Sequence, residues 1–236
     1  MIKKNITWLK KKKPDYIFCF GWSELLSQRI LDIPKKGIIG YHPSLLPKNR
    51  GRHPIIWSLI LGLKYIGSTF FLMTNKADKG PVIDQKKIKV LKNDNSTKIY
   101  KKLIKIANLQ LKEIILKIIT NKKFKQKKIS KKIDSNYWRK RSIKDGIIDW
   151  RMDAENIINL TKALSKPYPF SHFYFKAKKI EVIRVKKIKF NNKNFEPGKI
   201  IDIKNKNHPV VKCGKNALEI IKYKPKHKFM IGDYLI

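Results

Sequence analysis

Two side chains suited to acid–base chemistry each follow an apolar segment. His42 lies in the stretch 40–47, and Asp78 lies in the stretch 77–83, 36 residues further along. A carboxylate beside a histidine orients the ring and favours its charged form. Such a pair suits acyl transfer, which has to stabilise an oxyanion and move protons. A lone histidine near a loop aspartate is more often structural than catalytic, so the surrounding residues have to decide.

A sheet has to bring these two residues together. Apolar runs at 16–20, closed by Gly21, and at 37–41 predict two strands, the first buried on both faces. Residues 22–30 between them predict a helix, and this alternation is typical of a parallel sheet. Strands of a parallel sheet end at one edge, where ligands bind. The pair is therefore predicted to meet in a crevice at that edge.

The rest of the chain predicts a second, β-rich part. A proline-rich loop over 42–51 is followed by a helix, two strands and a long helix, at 55–61, 68–73, 82–90 and 97–119. Beyond a lysine-rich stretch ending near 132, the pattern predicts a helix at 154–164 and short strands at 180–185, 199–203, 210–213 and 218–223, which is typical of a small barrel or sheet. We expect a catalytic domain at 1–127, a linker at 128–149 and a barrel-like domain at 150–236.

The composition is that of a globular chain with an unusual charge. Hydrophobic residues make up 42% of the 236 residues, which is enough to form a core. The formal net charge of +39 indicates affinity for polyanions, since lysines that neutralise phosphates release counterions. Lysine far outnumbers arginine, although recognition of phosphates and bases favours arginine's planar fork. We therefore interpret the charge mainly as compositional bias, with weak attraction to anionic ligands.

Several other classes of protein are disfavoured. Cys19 and Cys213 lie far apart in strand-like segments, which predicts buried, reduced thiols. No apolar run approaches the roughly 20 residues that cross a bilayer. Residues 1–13 are basic and lack a signal-type apolar core, so we expect a cytoplasmic protein. No metal-ligand cluster, P-loop or dinucleotide-binding glycine pattern is present, so neither a metal nor a nucleotide cofactor is expected.

The residues around the pair resemble a family signature. Four stretches closely resemble that of the 10-formyltetrahydrofolate-dependent formyltransferases, namely His42-Pro-Ser-Leu-Leu-Pro-Lys-Asn-Arg-Gly51, Pro54-Ile-Ile-Trp57, Gly67-Ser-Thr-Phe-Phe71 and Ala77-Asp-Lys-Gly80. The family includes glycinamide ribonucleotide, methionyl-tRNA and amino-sugar-nucleotide formyltransferases. The resemblance covers residues 14–90 and implies an α/β fold, a Rossmann-like parallel sheet whose amino-terminal strands are missing.

A second resemblance lies further along the chain. Residues 141–150, Pro167-Tyr-Pro169 and the turn Pro197-Gly198 are similar to the carboxy-terminal segment of methionyl-tRNA and aminoarabinose-type formyltransferases. This resemblance implies a small β-rich open barrel after the catalytic domain. Phe170 stands where those relatives usually have glycine.

The resemblance also implies roles for the matching positions. An acceptor amine attacks the formyl carbon of the co-substrate 10-formyltetrahydrofolate, His42 donates to the oxyanion, and Asp78 orients His42 and helps to take the amine proton. The residues implied to bind the pteridine are Trp22, Leu25, Leu26, Ile38, Met73, Thr74, Asn75 and Asp78. Those implied to bind the acceptor are Ser44, Arg50, Arg52 and His53. From composition alone, Leu25, Leu26 and Ile38 are equally compatible with a core, and the arginines with a solvated loop.

The chain departs from the family pattern at two places. Relatives carry an asparagine two residues before the catalytic histidine, where this chain has Gly40. Losing one oxyanion donor typically lowers the rate by about 10²–10³. Relatives also carry a strand-helix-strand portion before the segment that begins at Pro14, whereas only 13 residues precede it here. The expectation is either a truncated sheet with an exposed edge or a sheet completed by another chain.

Three functions remain open from the sequence. The variants in 50–54 and 77–80 favour N-formylation of an amino sugar on a nucleotide. A basic surface and a carboxy-terminal barrel also suit methionyl-tRNA formyltransferase, for which a steep salt dependence is expected. Gly40 and the short amino terminus suit a catalytically impaired folate-binding protein. A homo-oligomer is compatible with each of the three.

Overall fold

The computed structural model describes residues 2–22, 24–125 and 135–235, which form two compact units. The first unit comprises segments 1–54, 64–90 and 100–140, and the second comprises 55–63, 91–99 and 141–236. The predicted linker at 128–149 therefore lies partly outside the described residues, which resume at Ser135.

The elements follow one another as short helices and strands. In chain order they are α1 (Ile2–Lys12), β1 (Tyr16–Cys19), α2 (Gln28–Leu31), β2 (Gly37–His42), β3 (Arg50–Gly51), α3 (Pro54–Ile60), β4 (Tyr65–Leu72), β5 (Val82–Lys89), α4 (Ser96–Ile119), β6 (Tyr137–Trp138), a 3-10 turn (Lys144–Gly146), α5 (Ala154–Ala163), β7 (Ser171–Phe175), β8 (Lys178–Ile188), β9 (Ile200–Lys204), β10 (His208–Lys212) and β11 (Ala217–Lys224).

The main sheet of the first unit is mixed, so the predicted parallel arrangement holds only for β1 and β2. Its strand order is β1-β2-β4-β5, and only β1 and β2 run parallel. Strand β4 is antiparallel to both β2 and β5. For the β4–β5 pair, the physical reason lies in the connection, which is a loop over 73–81 without a helix. A short loop reverses the chain, whereas a parallel pair needs a crossover connection of a dozen or more residues.

Two local predictions near the start also need correction. Strand β1 lies at the sheet edge and leaves Phe18 39% exposed, so it is not buried on both faces. The predicted helix over 22–30 is confined to α2. Ser27 has extended backbone angles, φ −67° and ψ 153°, and a helix cannot pass through that conformation. Residues 24–26 are therefore left as an irregular segment.

Alternation along the strands separates two faces of this sheet. Ile39, Phe70 and Ile83 are buried on one face together with Ile114 of α4, and each such buried side chain stabilises the fold by roughly 1.5–3 kcal/mol. The apolar face of α4 packs there, through residues that include Ala107, Leu111 and Ile118. Since successive side chains point to opposite faces, the neighbouring residues of the same strands are left for the other face.

The second unit contains an antiparallel sheet. Its strand order is β7-β8-β11-β10-β9, with Phe173, Val182, Leu218 and Ile220 completely or almost completely buried. Among the described residues, the edge strands β7 and β9 do not pair with each other, so the sheet is not a closed barrel. Helix α5 buries Ile157 and Leu160 in this unit.

In the described part of the chain, no helix is both long and apolar enough to span a membrane. Nor does any group of three or more His, Cys, Asp or Glu side chains there have a metal-binding arrangement.

Candidate active site

His42 is the last residue of β2 and pairs with Thr69 of β4. Its side chain is 8% exposed, and its ring lies between two hydrogen-bond acceptors. Nε2 lies 3.0 Å from the main-chain oxygen of Asn49, and Nδ1 lies 3.7 Å from Oδ1 of Asp78. A carbonyl oxygen only accepts, so Nε2 carries a proton at that contact.

Asp78 reaches His42 by a different route from the one predicted. Strand β4 is antiparallel to β2, so β4 ends beside Ile39, near the start of β2. The loop after β4 then folds back and brings Asp78 towards His42. Asp78 has a φ of 51°, an uncommon backbone conformation for a residue other than glycine. Two hydrogen bonds fix it there, from the Gly51 N–H to Oδ2 and from the Arg50 Nε–H to the main-chain oxygen, both 2.9 Å.

A segment over 136–138 supports both members of the pair. Strand β6 pairs in parallel with β3, and the Asn136 side-chain oxygen accepts the N–H of Asn49, whose own carbonyl contacts His42. The Tyr137 hydroxyl donates to the Ala77 carbonyl across 3.1 Å. Sequence reasoning placed this segment in a linker and gave it no role. The contacts span about 60 to 90 residues of sequence, so no local pattern signals them.

Gly51 is needed for this pairing. Its φ is +95°, and a Cβ atom there would lie 2.3 Å from the main-chain oxygen of Trp138. Any side chain at this position would push β3 and β6 apart, because real Cβ contacts are never so short. Close packing against Trp138 thus explains why the motif that resembles the family has glycine at this position.

The pair opens onto a cavity of about 430 Å³ in the first unit. Among the predicted site residues, the following line it: Trp22, Leu25, Leu26, Gly40, His42, Arg52, Met73, Thr74 and Asp78. Further lining residues that the sequence did not single out include Cys19, Tyr41, Phe71 and Lys76. The pairing register places Cys19, Gly40 and Phe71 side by side on β1, β2 and β4.

Cys19 is half-buried at the cavity wall, not fully buried as predicted. Burial raises the pKa of its thiol, and desolvation also raises the pKa of the Tyr41 hydroxyl. Cys213 is fully buried in the second unit, and burial raises its pKa to about 12. Both thiols are free.

Five predicted site residues do not line this cavity. Ile38 is 2% exposed and belongs to the core. Ser44 is buried, donates its hydroxyl to the Lys48 carbonyl and accepts the Thr69 hydroxyl at its own carbonyl. Arg50 is buried beneath the Asp78 loop, with its guanidinium over the Tyr137 ring. The other two are the exposed Asn75 and the half-buried His53.

Gly40 leaves no room for a larger residue in this conformation. A Cβ atom built on it would lie 2.8 Å from Cγ of Met73 and 3.1 Å from the Phe71 ring. Met73 and Phe71 therefore occupy the space beside the position where relatives carry asparagine. The cavity at this point is apolar where an amide donor is expected.

Two family patterns match the chain. The pattern described as formyl transferase covers residues 1–115, and the formyl transferase C-terminal domain covers residues 141–233. The bifunctional polymyxin resistance protein ArnA of Wigglesworthia glossinidia brevipalpis is 41% identical over 92% of this chain and 32% of its own length. The methionyl-tRNA formyltransferase of Clostridium tetani is 31% identical over 99% of this chain and 74% of its own length. The chain belongs to the formyl transferase family.

Solved structures share the fold. A 4-N formyltransferase from Francisella tularensis superposes with a TM-score of 0.65 and 28% identity, over 76% of this chain and 73% of that one. An N-formyltransferase from Helicobacter canadensis, solved in complex with folinic acid and dTDP-3-aminofucose, gives a TM-score of 0.65 at 18% identity over 86% and 72%. The chain spans about a third of the ArnA relative and about three quarters of the methionyl-tRNA formyltransferase.

Proposed function

We propose that this protein transfers a formyl group from 10-formyltetrahydrofolate to a primary amine. The observation that carries the proposal is the His42–Asp78 pair, which lies at one end of a cavity with apolar walls. Acyl transfer to an amine needs a donor for the developing oxyanion and an acceptor for the amine proton. The pair offers one of each within a single contact.

His42 supplies the donor to the oxyanion. Its Nε2–H donates to the Asn49 carbonyl in this structure. When 10-formyltetrahydrofolate is bound, the same N–H donates its hydrogen bond to the formyl oxygen instead. Catalytic hydrogen bonds are often misaligned before the substrate binds, so the present contact is compatible with this role. Asp78 lies on the Nδ1 side of the ring and orients it.

Asp78 is the acceptor for the proton that the amine loses. The amine nitrogen forms a bond to the formyl carbon, and the bond from that carbon to N10 of the folate breaks. The amine loses one proton and N10 gains one, so no oxidant, reductant or metal is required. Oδ1 of Asp78 faces His42, while Oδ2 is held by the Gly51 N–H.

The large apolar side chains of the cavity walls fit the faces of a flat aromatic ring system. Trp22 and Leu25 are 58% and 63% exposed, although both are large apolar side chains. Exposed apolar residues grouped around a cavity are typical of a ligand site. We assign the pteridine of the folate to the walls formed by Trp22, Leu25, Leu26 and Met73.

The acceptor we favour is a nucleotide-linked amino sugar. Arg52 and Lys76 line the cavity and are both exposed, so they are available to the phosphates of such an acceptor. The Helicobacter canadensis structure holds a dTDP-linked amino sugar and a folate together, which supports the assignment. A second candidate is methionyl-tRNA, favoured by the identity to the Clostridium tetani protein and by the net charge of +39.

The test is formyl transfer from 10-formyltetrahydrofolate to a panel of UDP- and dTDP-linked amino sugars and to methionyl-tRNA. We expect turnover with an amino-sugar nucleotide, and a loss of about 10²-fold or more in His42→Ala and Asp78→Asn. Asp202→Asn, an exposed carboxylate in the second unit, is the matched control and retains the wild-type rate.

The outcome separates the three functions. Turnover with methionyl-tRNA alone, declining steeply with salt, supports the second candidate. A folded protein that is stabilised by folate but shows no turnover with any acceptor contradicts the enzyme and supports a binding protein.

A further inference from the structure

A cleft of about 530 Å³ lies in the second unit, and none of the residues assigned to formyl transfer lines it. Its walls come from four places in the sequence: the residues just before α4, one face of α5 with Ser165 shortly after its end, the middle of β8, and Lys222 of β11. The lining residues are Asn93, Asn95, Ile158, Thr161, Lys162, Ser165, Ile183, Arg184, Val185 and Lys222.

Two cations are placed opposite each other in this cleft. Arg184 of β8 and Lys222 of β11 are direct cross-strand partners, a position in which side chains start about 5 Å apart. Like charges in that position destabilise a sheet. The pairing register shifts on both sides of Lys222, between Ile220 and Lys222 and again between Lys222 and Tyr223.

These bulges set the direction of Arg184. Simple alternation would place Arg184 on the same face as Ile180 and Val182, and both of those are buried. Arg184 is instead exposed and lines the cleft. Bulges often re-aim side chains beside functional sites. The strands are therefore bent where the two cations face the same space.

The two charges have no acidic counterpart in the cleft. In the described ranges, neither Arg184 nor Lys222 forms an ion pair, and no carboxylate lines the cleft. Acidic residues on or beside the same elements are otherwise engaged, and Glu219 of β11 pairs with His208. Glu155 pairs with Lys187, Glu181 pairs with Lys179 and Lys224, and the buried Asp94 accepts the N–H of Leu91.

Two neutral hydrogen-bonding side chains and a third cation, Lys162, complete the walls. The Asn95 side-chain oxygen accepts the N–H of Lys98 in the first turn of α4, which leaves its amide hydrogens for a ligand. The Thr161 hydroxyl accepts from Ser171, so its own hydrogen is available to donate. Lys162 is half-buried and donates to the Lys92 carbonyl at the rim. The start of the 24-residue helix α4 adds a partial positive charge.

The identity of the residue at 184 also argues against simple compositional bias. Only seven of the 56 basic residues are arginine, and Arg184 is the last of them in the sequence. Lysine is the cation that the composition supplies by default. Arginine's fork binds two oxygens of a phosphate at once, which lysine cannot do in the same geometry.

We propose that this cleft is a binding site for the phosphate groups of a small anionic ligand, with Arg184 and Lys222 as its principal ligands. A compact di- or polyphosphate group neutralises both cations and accepts from Asn95, Thr161 and Lys162. The site is separate from the cavity beside His42, and its function does not depend on formyl transfer. A concave site favours a compact phosphate over an extended polyanion.

The test is calorimetric titration of the full chain with inorganic pyrophosphate at low ionic strength. We expect saturable binding with one pyrophosphate per chain, and at least about tenfold weaker binding in Arg184→Gln/Lys222→Gln. Arg184→Lys keeps the charge and loses the fork, so an intermediate affinity is expected. Lys193→Gln/Lys204→Gln removes two exposed charges elsewhere in the same unit and leaves the affinity within about twofold.

A second readout concerns stability in the absence of anion. Lys222→Gln relieves the repulsion and raises Tm, whereas pyrophosphate raises Tm only in chains that keep both cations.

Three results would overturn the proposal. The first is an equal loss of pyrophosphate affinity in the cleft variant and the control variant, which would show that binding is a general charge attraction. The second is a loss of binding in Arg52→Gln instead, which places the pyrophosphate in the other cavity. The third is that a short single-stranded RNA binds in a manner that requires Arg184 and Lys222, while pyrophosphate does not bind. That result would make the cleft part of an RNA-binding surface.

Discussion

Arg50 donates its Nε–H to the main-chain oxygen of Asp78 across 2.9 Å, from a side chain that is almost completely buried. This contact and the Gly51 N–H hold Asp78 in a left-handed conformation beside His42. In the proposed mechanism the guanidinium therefore acts through Asp78 and not through the acceptor. Two neighbouring residues hold the backbone on either side of the pair. The Asn136 side chain accepts the N–H of Asn49, and the Tyr137 hydroxyl donates to the Ala77 carbonyl.

Arg50→Lys tests this positioning. We expect kcat to fall by about 10- to 100-fold, since one misplaced group at a reacting centre has effects of this size. The KM for 10-formyltetrahydrofolate should change little, because Arg50 does not line the cavity. Steady-state kinetics measures both, and Arg29→Lys on the exposed surface of α2 is the control. A rise in KM with kcat unchanged would show that Arg50 binds substrate.

Tyr137→Phe removes a single hydrogen bond to the Ala77 carbonyl. Such a bond typically contributes about 1 kcal/mol, so kcat should fall only about fivefold. Tyr100→Phe, at an exposed tyrosine of α4, serves as the matched control. A Tyr137→Phe enzyme with wild-type kcat would remove this residue from the support of Asp78.

Gly40→Asn introduces the residue that relatives carry, and we expect it to fail on its own. Its Cβ meets Met73 at 2.8 Å, so Met73 must move and folate binding should weaken. Gly40→Asn combined with Met73→Ala makes room for the amide and should raise the rate above that of Met73→Ala alone, by as much as about 10²-fold. Rates and thermal shifts with folate measure the outcome. A single variant that is faster and unimpaired in binding contradicts the steric argument.

The two cysteines should react at different rates. The thiolate is the reactive form, and a pKa of about 12 keeps the Cys213 thiol protonated near neutral pH. The pKa of Cys19 is also raised, but this thiol is half-buried at the cavity. We expect slow alkylation of Cys19 alone in the native chain. Peptide mass mapping identifies which cysteine has reacted. Tetrahydrofolate should slow the alkylation further, and equal labelling with and without folate would argue against the assigned walls.

Acidification should destabilise the second unit through His172. This side chain is 2% exposed, and burial, followed by the charge of Lys179, lowers its pKa below the ordinary 6.5, while Glu181 acts in the opposite direction. The unfolded chain therefore binds more protons, so this contribution to stability is complete above about pH 6.5 and declines as the pH falls below it. Urea unfolding at several pH values should show a weaker pH dependence in His172→Phe. An unchanged pH dependence would contradict the role of His172.

The sequence by itself determined the family, most of the strands and helices, and the chemical pair, although it missed β7 and overextended the helix at α2. His42 and Asp78 sit in contiguous motifs, and the apolar runs around them specify strands locally. The periodicity of α4 likewise predicts its buried face, because three or four residues of spacing suffice to define it.

Only the tertiary structure decided how those parts are arranged. Strand direction and register depend on pairing between residues distant in sequence, so the reversal of β4 and the return of the loop to His42 have no local signature. The same reason applies to Arg50, which the sequence assigned to a substrate and the fold buries beneath Asp78, and to Tyr137, which it placed in a linker. Local patterns specify what a residue can do, whereas long-range packing determines which partner it reaches.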